Sequence, residues 1–486
     1  MWTRLALALL IGLPAQAQQT YALRPMPRPE MVSSGVVTQT VTVRPLDEGP
    51  SADAVGLLPS SVTGLPRDLW TGSESSRLAG LIERLAWTDI PVVDGFARTL
   101  LLAESAPPRG AGRGAEDFLL ARVDQLVERG ALDEAAALLD RAGKGSARRT
   151  RRAFDVSLLT GDETGACEQL ESAAEGSDDF AMRVFCFVRS GDWAAGALTF
   201  DAASALSELH PLERDLLAPF LDPELAEGAL PPPPTRPSAL VFRLYDALGE
   251  PLPTGRLPIA FARADLRPVT GWKAQIEAAE RLVRAGALPG TVLLALYTDR
   301  RPSASGGVWD RASAIQALDD ALLRRDAVTA AIRLPAAVEA MRSAGVEAAL
   351  APIFYPLLSE LGVEAGGLAR TLGFLTPDYE AAAEGGPDDL LASIARGEPD
   401  ASLAADPLEE AIAAGFADTP PDTLLARLVA EDRLGEALLL SVDRLADARG
   451  GDLSRLSGTL SFLRSVGLED LARRAALQMI ILPGEA

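Results

Sequence analysis

From about residue 72 to the C-terminus, apolar residues recur every three to four positions, the spacing that places them on one face of a helix. "AEDFLLARVDQLVERG" puts Phe118, Leu119, Val123 and Leu126 on such a face, and "LDEAAALLDRAG" resumes the pattern beyond a turn at Gly130. "ALVFRLYDALG" and "WKAQIEAAERLVRAG" read the same way, with "EPLPTGRLP" as a loop between them. Ala and Leu, both strong helix formers, dominate these stretches. Alternating Val, Ile and Thr is scarce and aromatic residues make up 5% of the chain, so strands are not expected beyond one short element at Val36–Val43. The predicted class is all-α.

The turns between these helices repeat. "ERGALDEAAALL", "RSGDWAAGALTF", "RAGALPGTVLLAL", "AEDRLGEALLLS" and "RSVGLEDLARRAAL" each close one helix in a polar or glycine turn, then place Leu or Trp ahead of a helix of small residues. "LLTGDETGACEQL" is a degenerate copy. Gly130, Gly161 and Gly191 fall 31 and 30 residues apart. A period of that size predicts a superhelical solenoid of stacked antiparallel helical hairpins. One hairpin cannot bury its own apolar face, so neighbours must stack. The turn pattern resembles tetratricopeptide and related helical repeats, although no copy here carries the full signature set. "LWTGSESSRLAGLIERL", "LLLAESAPP", "MRVFCFVRSGDW" and "ERLVRAGALPGTVLLALYTDRRPSASGGVWDR" are together similar to an alphaproteobacterial group of exported helical-repeat envelope proteins. The similarity covers most of the chain after about residue 60 and implies a role in cell-envelope integrity.

The first residues, "MWTRLALALLIGLPAQAQQ", have Arg4, an apolar core over Leu5–Leu13 and a small-x-small site at Ala15–Ala17. That is the pattern of a secretory signal peptide over residues 1–17, with cleavage expected after Ala17. The core falls well short of the ~20 residues of a spanning helix, and no later run supplies a membrane span. Residues 18–64 are rich in Pro, Ser and Gly without a period and read as a disordered linker. A helical-repeat domain is expected over 65–230, a Pro-rich linker at 231–237, a middle helical domain over 238–380 and further hairpins over 387–486. The proline run in "GALPPPPTRPSAL" is extended, either joining domains or strapping the solenoid.

Charge and composition then narrow the function. Net charge is −22, which argues against nucleic acid as a partner and reads first as solubility and self-avoidance; for a partner that does bind, it predicts a basic patch. Lys occurs only at 144 and 273, and Arg supplies the remaining cations. With abundant Ala, Gly and Pro this points to a GC-rich bacterial genome, for which unanchored export leads to the periplasm. One histidine, His210, and two cysteines are too few for a zinc site or a histidine-based triad, so no metal, cofactor or catalytic residue is expected. Glu74 in "GSESS" and Glu104 in "LAESAPP" match the Glu-Ser pair of periplasmic lytic transglycosylases. Their flanks lack ordered catalytic motifs, and Glu74 reads as a helix-start residue with Ser73 as a cap.

The most distinctive loop is "YTDRRPSASGGVWDRASAIQAL", residues 297–318. It gathers Arg300, Arg301, Ser305, Trp309, Asp310 and Arg311, with Ser303 among them. Trp and Arg are favoured interface anchors, which makes this a candidate recognition loop. The competing reading packs Trp309 inward and uses Asp310 at the next helix start, with Trp272 in the core.

Cys167 and Cys186 remain. A hairpin turn between Gly176 and Ser177 puts each cysteine nine residues from the bend, at one height on adjacent helices. In an oxidising compartment that predicts a structural disulfide. The spacing is not Cys-x-x-Cys, which disfavours a redox enzyme. The function expected is a periplasmic, non-catalytic interaction scaffold with protein partners and possible peptidoglycan association. The alternatives are a peptidoglycan-acting enzyme and a cell-wall binder.

Overall fold

The computed structural model of the protein describes residues 51–111, 115–171, 179–222, 230–384 and 386–484. The signal peptide, the Val36–Val43 strand and the Gly176–Ser177 turn lie outside the described residues. The helices are α1 Ser60–Thr63, α2 Ser75–Ile82, α3 Pro91–Leu102, α4 Asp117–Glu128, α5 Leu132–Ala142, α6 Ala147–Thr160, α7 Glu163–Glu171 and α8 Phe180–Arg189. There follow α9 Trp193–Ala205, α10 Pro211–Leu221, α11 Ala239–Ala247, α12 Trp272–Arg284, α13 Gly290–Asp299, α14 Val308–Leu323, α15 Ala327–Ala344 and α16 Glu347–Glu360. The last are α17 Leu368–Phe374, α18 Tyr379–Ala383, α19 Leu390–Arg396, α20 Pro407–Phe416, α21 Thr423–Ala430, α22 Leu434–Arg449, α23 Leu456–Ser465 and α24 Glu469–Ile481. Among the described residues there are short 3-10 turns and two isolated bridges but no strand. The protein is an all-α solenoid of helical hairpins.

The repeated turns have one cause. Gly130 and Gly191 adopt φ of +74° and +83°, where a side chain is strained. The next residue's N–H then reaches back to the helix, Ala131 to Leu126 and Asp192 to Phe187, at 2.8 Å each. This closure satisfies carbonyls left open at a helix end and sends the chain back as an antiparallel partner. The same six-residue closure recurs at Asp162 to Ser157, Ala287 to Leu282, Val346 to Met341 and Leu468 to Leu463.

Apolar packing groups these hairpins differently from their linear order. One core runs from Leu65 to Ala264 and is taken up again from Phe374 to Met479; a second is built mainly from Trp272 to Leu375. The start and end of the repeat array therefore share a core. Helix α3 packs on α22 and α24, and α2 packs on α22. Trp70 is buried against Phe118, and the backbone of Gly435 presses on its indole ring so closely that an added Cβ would lie 2.4 Å away. The proline segment 231–237 interrupts the helices but not this packing. Helix α11 beyond it lies on α6 and α10, and the Tyr245 hydroxyl donates to the Pro231 carbonyl at 2.6 Å.

The boundary of the linker moves. Residues 51–64, assigned to it from composition, are structured. The buried Asp53 carboxylate accepts from Leu119 N–H and from the Ser75 hydroxyl, both at 2.9 Å. It faces Arg122, a fully buried guanidinium that burial lowers to about 10 and that stacks on the Phe118 ring. Leu57 and Leu58 N–H both donate to Leu102 O. Composition does not reveal such an anchor, because it consists of one carboxylate and a few backbone bonds.

Candidate functional site

The loop between α13 and α14 is held at its base by buried polar contacts. Glu280 on α12 is buried and accepts from the Tyr297 hydroxyl at 2.7 Å and from Arg311 Nε and Nη2 at 2.8 and 2.6 Å. Two parallel bonds from one guanidinium fix the pair's geometry. Burial, reinforced by the Glu280 carboxylate, pushes the Tyr297 phenol well above its usual range. The hydrogen bond to Glu280 likewise raises Arg311. Gln316 donates to the carbonyls of Tyr297 and Arg300 at 2.7 and 2.6 Å, tying the loop's entry to α14. Trp309 stacks obliquely on buried Trp272 with ring centroids 5.1 Å apart, and the Trp272 indole donates to Leu296 O. Asp310 accepts from Gly306 N–H at 3.0 Å and closes the turn.

The predicted loop residues thus divide. Trp309, Asp310 and Arg311 are structural here, as inward packing at a helix start implied. Arg300, Arg301, Ser303 and Ser305 are exposed on top of the anchored base, and Arg300 pairs with Asp299 at the surface. Glu280 and Tyr297 were not singled out by sequence reasoning. A Glu within "QIEAAERL" looks like any solvated helix residue until packing buries it.

The other candidates fall outside this site. The disulfide joins Cys167 on α7 to Cys186 on α8, with Cα atoms 5.4 Å apart, as the equal-height argument required. His210 caps α10 by accepting from Leu212 N–H at 3.3 Å. Glu74, not Ser73, is the residue at the start of α2, and its exposed carboxylate lies beside Arg109 at 3.5 Å. Ser73 donates instead to Glu436, because the first and last parts of the helical array meet there. Glu104 follows α3 and lies 4.0 Å from Arg141. A cavity of about 250 Å³ between α5 and α6 includes Lys144, Arg149 and Gln169 in its lining. Its guanidinium is already committed, to Glu116 and to the carbonyls of Ala142, Gly143 and Lys144. Among the described residues no group of three or more His, Cys, Asp or Glu could hold a metal ion, and no helix is long and apolar enough to cross a membrane.

What fold and site define is a class: an all-α helical-hairpin protein that displays side chains on a braced loop. Comparison with protein-family models, curated proteins and solved structures returned no match.

Proposed function

We propose that this chain is a periplasmic scaffold that supports cell-envelope integrity by non-catalytic binding of protein partners. The observation that carries the reading is the loop 299–307. It is short, rigidly anchored through Glu280, Gln316 and the Trp272–Trp309 stack, and it exposes Arg300 and Arg301 with two serines. Preordered arginines on a rigid scaffold bind carboxylate-bearing surfaces with little ordering cost. The disulfide supports an oxidising compartment, where such bonds persist. Glu74 and Glu104 lend less support to a peptidoglycan-cleaving alternative. Both stand in the open beside arginines, whereas a general acid needs a secluded carboxyl kept protonated.

The test is cross-linking of the full chain in periplasmic extract, beside an Arg300→Glu, Arg301→Glu double variant of unchanged stability. A discrete cross-linked partner that disappears with the double variant is expected. Release of muropeptides from purified sacculi, abolished by Glu74→Gln or Glu104→Gln, would overturn the reading.

A further inference from the structure

We propose that the outer face of α9 docks an amphipathic helix of a partner protein, one whose apolar stripe is flanked by Lys or Arg. This rests on the scaffold reading and names a partner chemistry for a second surface, on the repeat that carries the disulfide.

Helix α9, "WAAGALTFDAASA", contains a single charged residue, Asp201. Its inner side is fully used. Gly196 and Ala203 are buried, and a Cβ on Gly196 would sit 3.2–3.6 Å from Leu221, Val188 and Phe187. Its outer side is also apolar. Ala194, Ala197, Leu198, Asp201, Ala202 and Ala205 follow helical spacing, and all are exposed. Trp193 is 50% exposed, Leu198 72% and Leu206, just past the helix end, 67%. A helix apolar on both sides is built for neighbours on both sides. Helix α9 has α8 and α10 as its packing partners.

The chain supplies its own comparison. In the repeat copy "GALDEAAALL", Leu132 of α5 holds the place of Trp193 and is only 1% exposed. Where α9 has Ala194, Ala195 and Ala202, α5 has Asp133, Glu134 and Arg141. Helix α5 thus follows the usual pattern of a polar outer face, and α9 departs from it in the direction of a contact surface. Alanines also let a second helix backbone approach closely, and a half-exposed Trp is a favoured anchor.

Charge selects the occupant. Residues 190–210 contain exposed Asp192, Asp201 and Glu208 and no Lys or Arg. An apolar stripe with carboxylates before, within and after it fits one flanked by cations. A second copy of this chain would bring like charges together across a two-fold contact, which opposes pairing.

The probe is a synthetic amphipathic helix with Leu and Ala on one face and Lys along both flanks, titrated against the full chain by fluorescence anisotropy. Binding that weakens with salt is expected, at least about tenfold stronger than for a Glu-flanked peptide or a scrambled one. Leu198→Glu and Trp193→Ala should each weaken it about tenfold or more, and hydrogen exchange should slow over 193–206. Leu198 is 72% exposed, so Leu198→Glu should leave the unfolding midpoint unchanged and is the deciding variant. Equal binding to Leu198→Glu, equal binding of the scrambled peptide, or self-association abolished by Leu198→Glu would overturn the proposal. Failure of the peptide with loop-dependent partner capture intact overturns this docking face alone. Loss of loop-dependent capture overturns the scaffold reading.

Discussion

Removing the Glu436 charge should loosen the contact between the first and last parts of the helical array. Glu436 is buried on α22, and its carboxylate accepts from Arg77 Nε at 2.9 Å, Arg433 Nη2 at 2.7 Å and the Ser73 hydroxyl at 3.1 Å. Burial alone would raise its pKa. The hydrogen bonds from Arg433, Arg77 and Ser73 more than offset that and hold it below the usual carboxylate range. Breaking a fully buried ion pair costs about 3–5 kcal/mol. Arg77 is half-exposed and Arg433 about a quarter exposed, so water recovers part of each cation. For Glu436→Gln the expected loss is therefore about 2–3 kcal/mol, near the strength of one or two charged hydrogen bonds. It should appear locally, as exchange at amides that bridge these two parts: Gly435 to Leu69 O, Ala86 to Asp443 and Val92 to Gln478. At about 1.4 kcal/mol per decade, those amides should exchange roughly 30 to 150 times faster. Because the folded-state pKa is depressed, this stabilisation is present above the ordinary glutamate value and is lost as pH falls through the folded one. Wild type should thus approach the variant in acid. Exchange at Gly435 and Ala86 that changes less than about threefold at pH 7, or the same gap at every pH, would refute the reasoning.

Two further outcomes follow from buried contacts elsewhere. Cys167→Ser, Cys186→Ser should cost about 3 kcal/mol in urea unfolding, from the entropy of a loop closed across a sequence separation of 19; two alkylatable thiols in the oxidised protein would contradict the bond itself. Burial raises the phenols of Tyr297 and Tyr379, reinforced by Glu280 and Asp470 respectively. Their unfolded counterparts ionise near about pH 10, so stability should fall as pH climbs above that value. Absorbance at about 295 nm should show these two phenols ionising only together with unfolding, and Tyr297→Phe should flatten that alkaline loss.

The hairpins were legible because they rest on local rules. Three-to-four spacing marks the helices, and the Gly turns mark the reversals at 130, 161, 191, 286 and 467; the equivalent turn at Gly345 emerges only in the structure. The disulfide was legible because height along an antiparallel hairpin is set by counting residues from the turn. The loop 297–318 was found from its composition, yet only half its residues are presented. Whether Trp309 points to solvent or to Trp272 depends on where α12 packs, and local spacing does not carry that.

Sequence alone thus determined the all-α class, the repeat and the clip between α7 and α8, all consequences of contacts close along the chain. Tertiary structure alone decided which repeats share a core. Residues 69–77 and 432–436 are far apart in sequence, and their meeting through Trp70, Gly435 and Glu436 has no periodic signature. It also decided which apolar helix faces are covered. Leu132 and Trp193 occupy the same repeat position, and one is buried while the other stands half in water. A pattern specifies the side a helix wishes to bury; only the neighbours present in three dimensions determine whether it does.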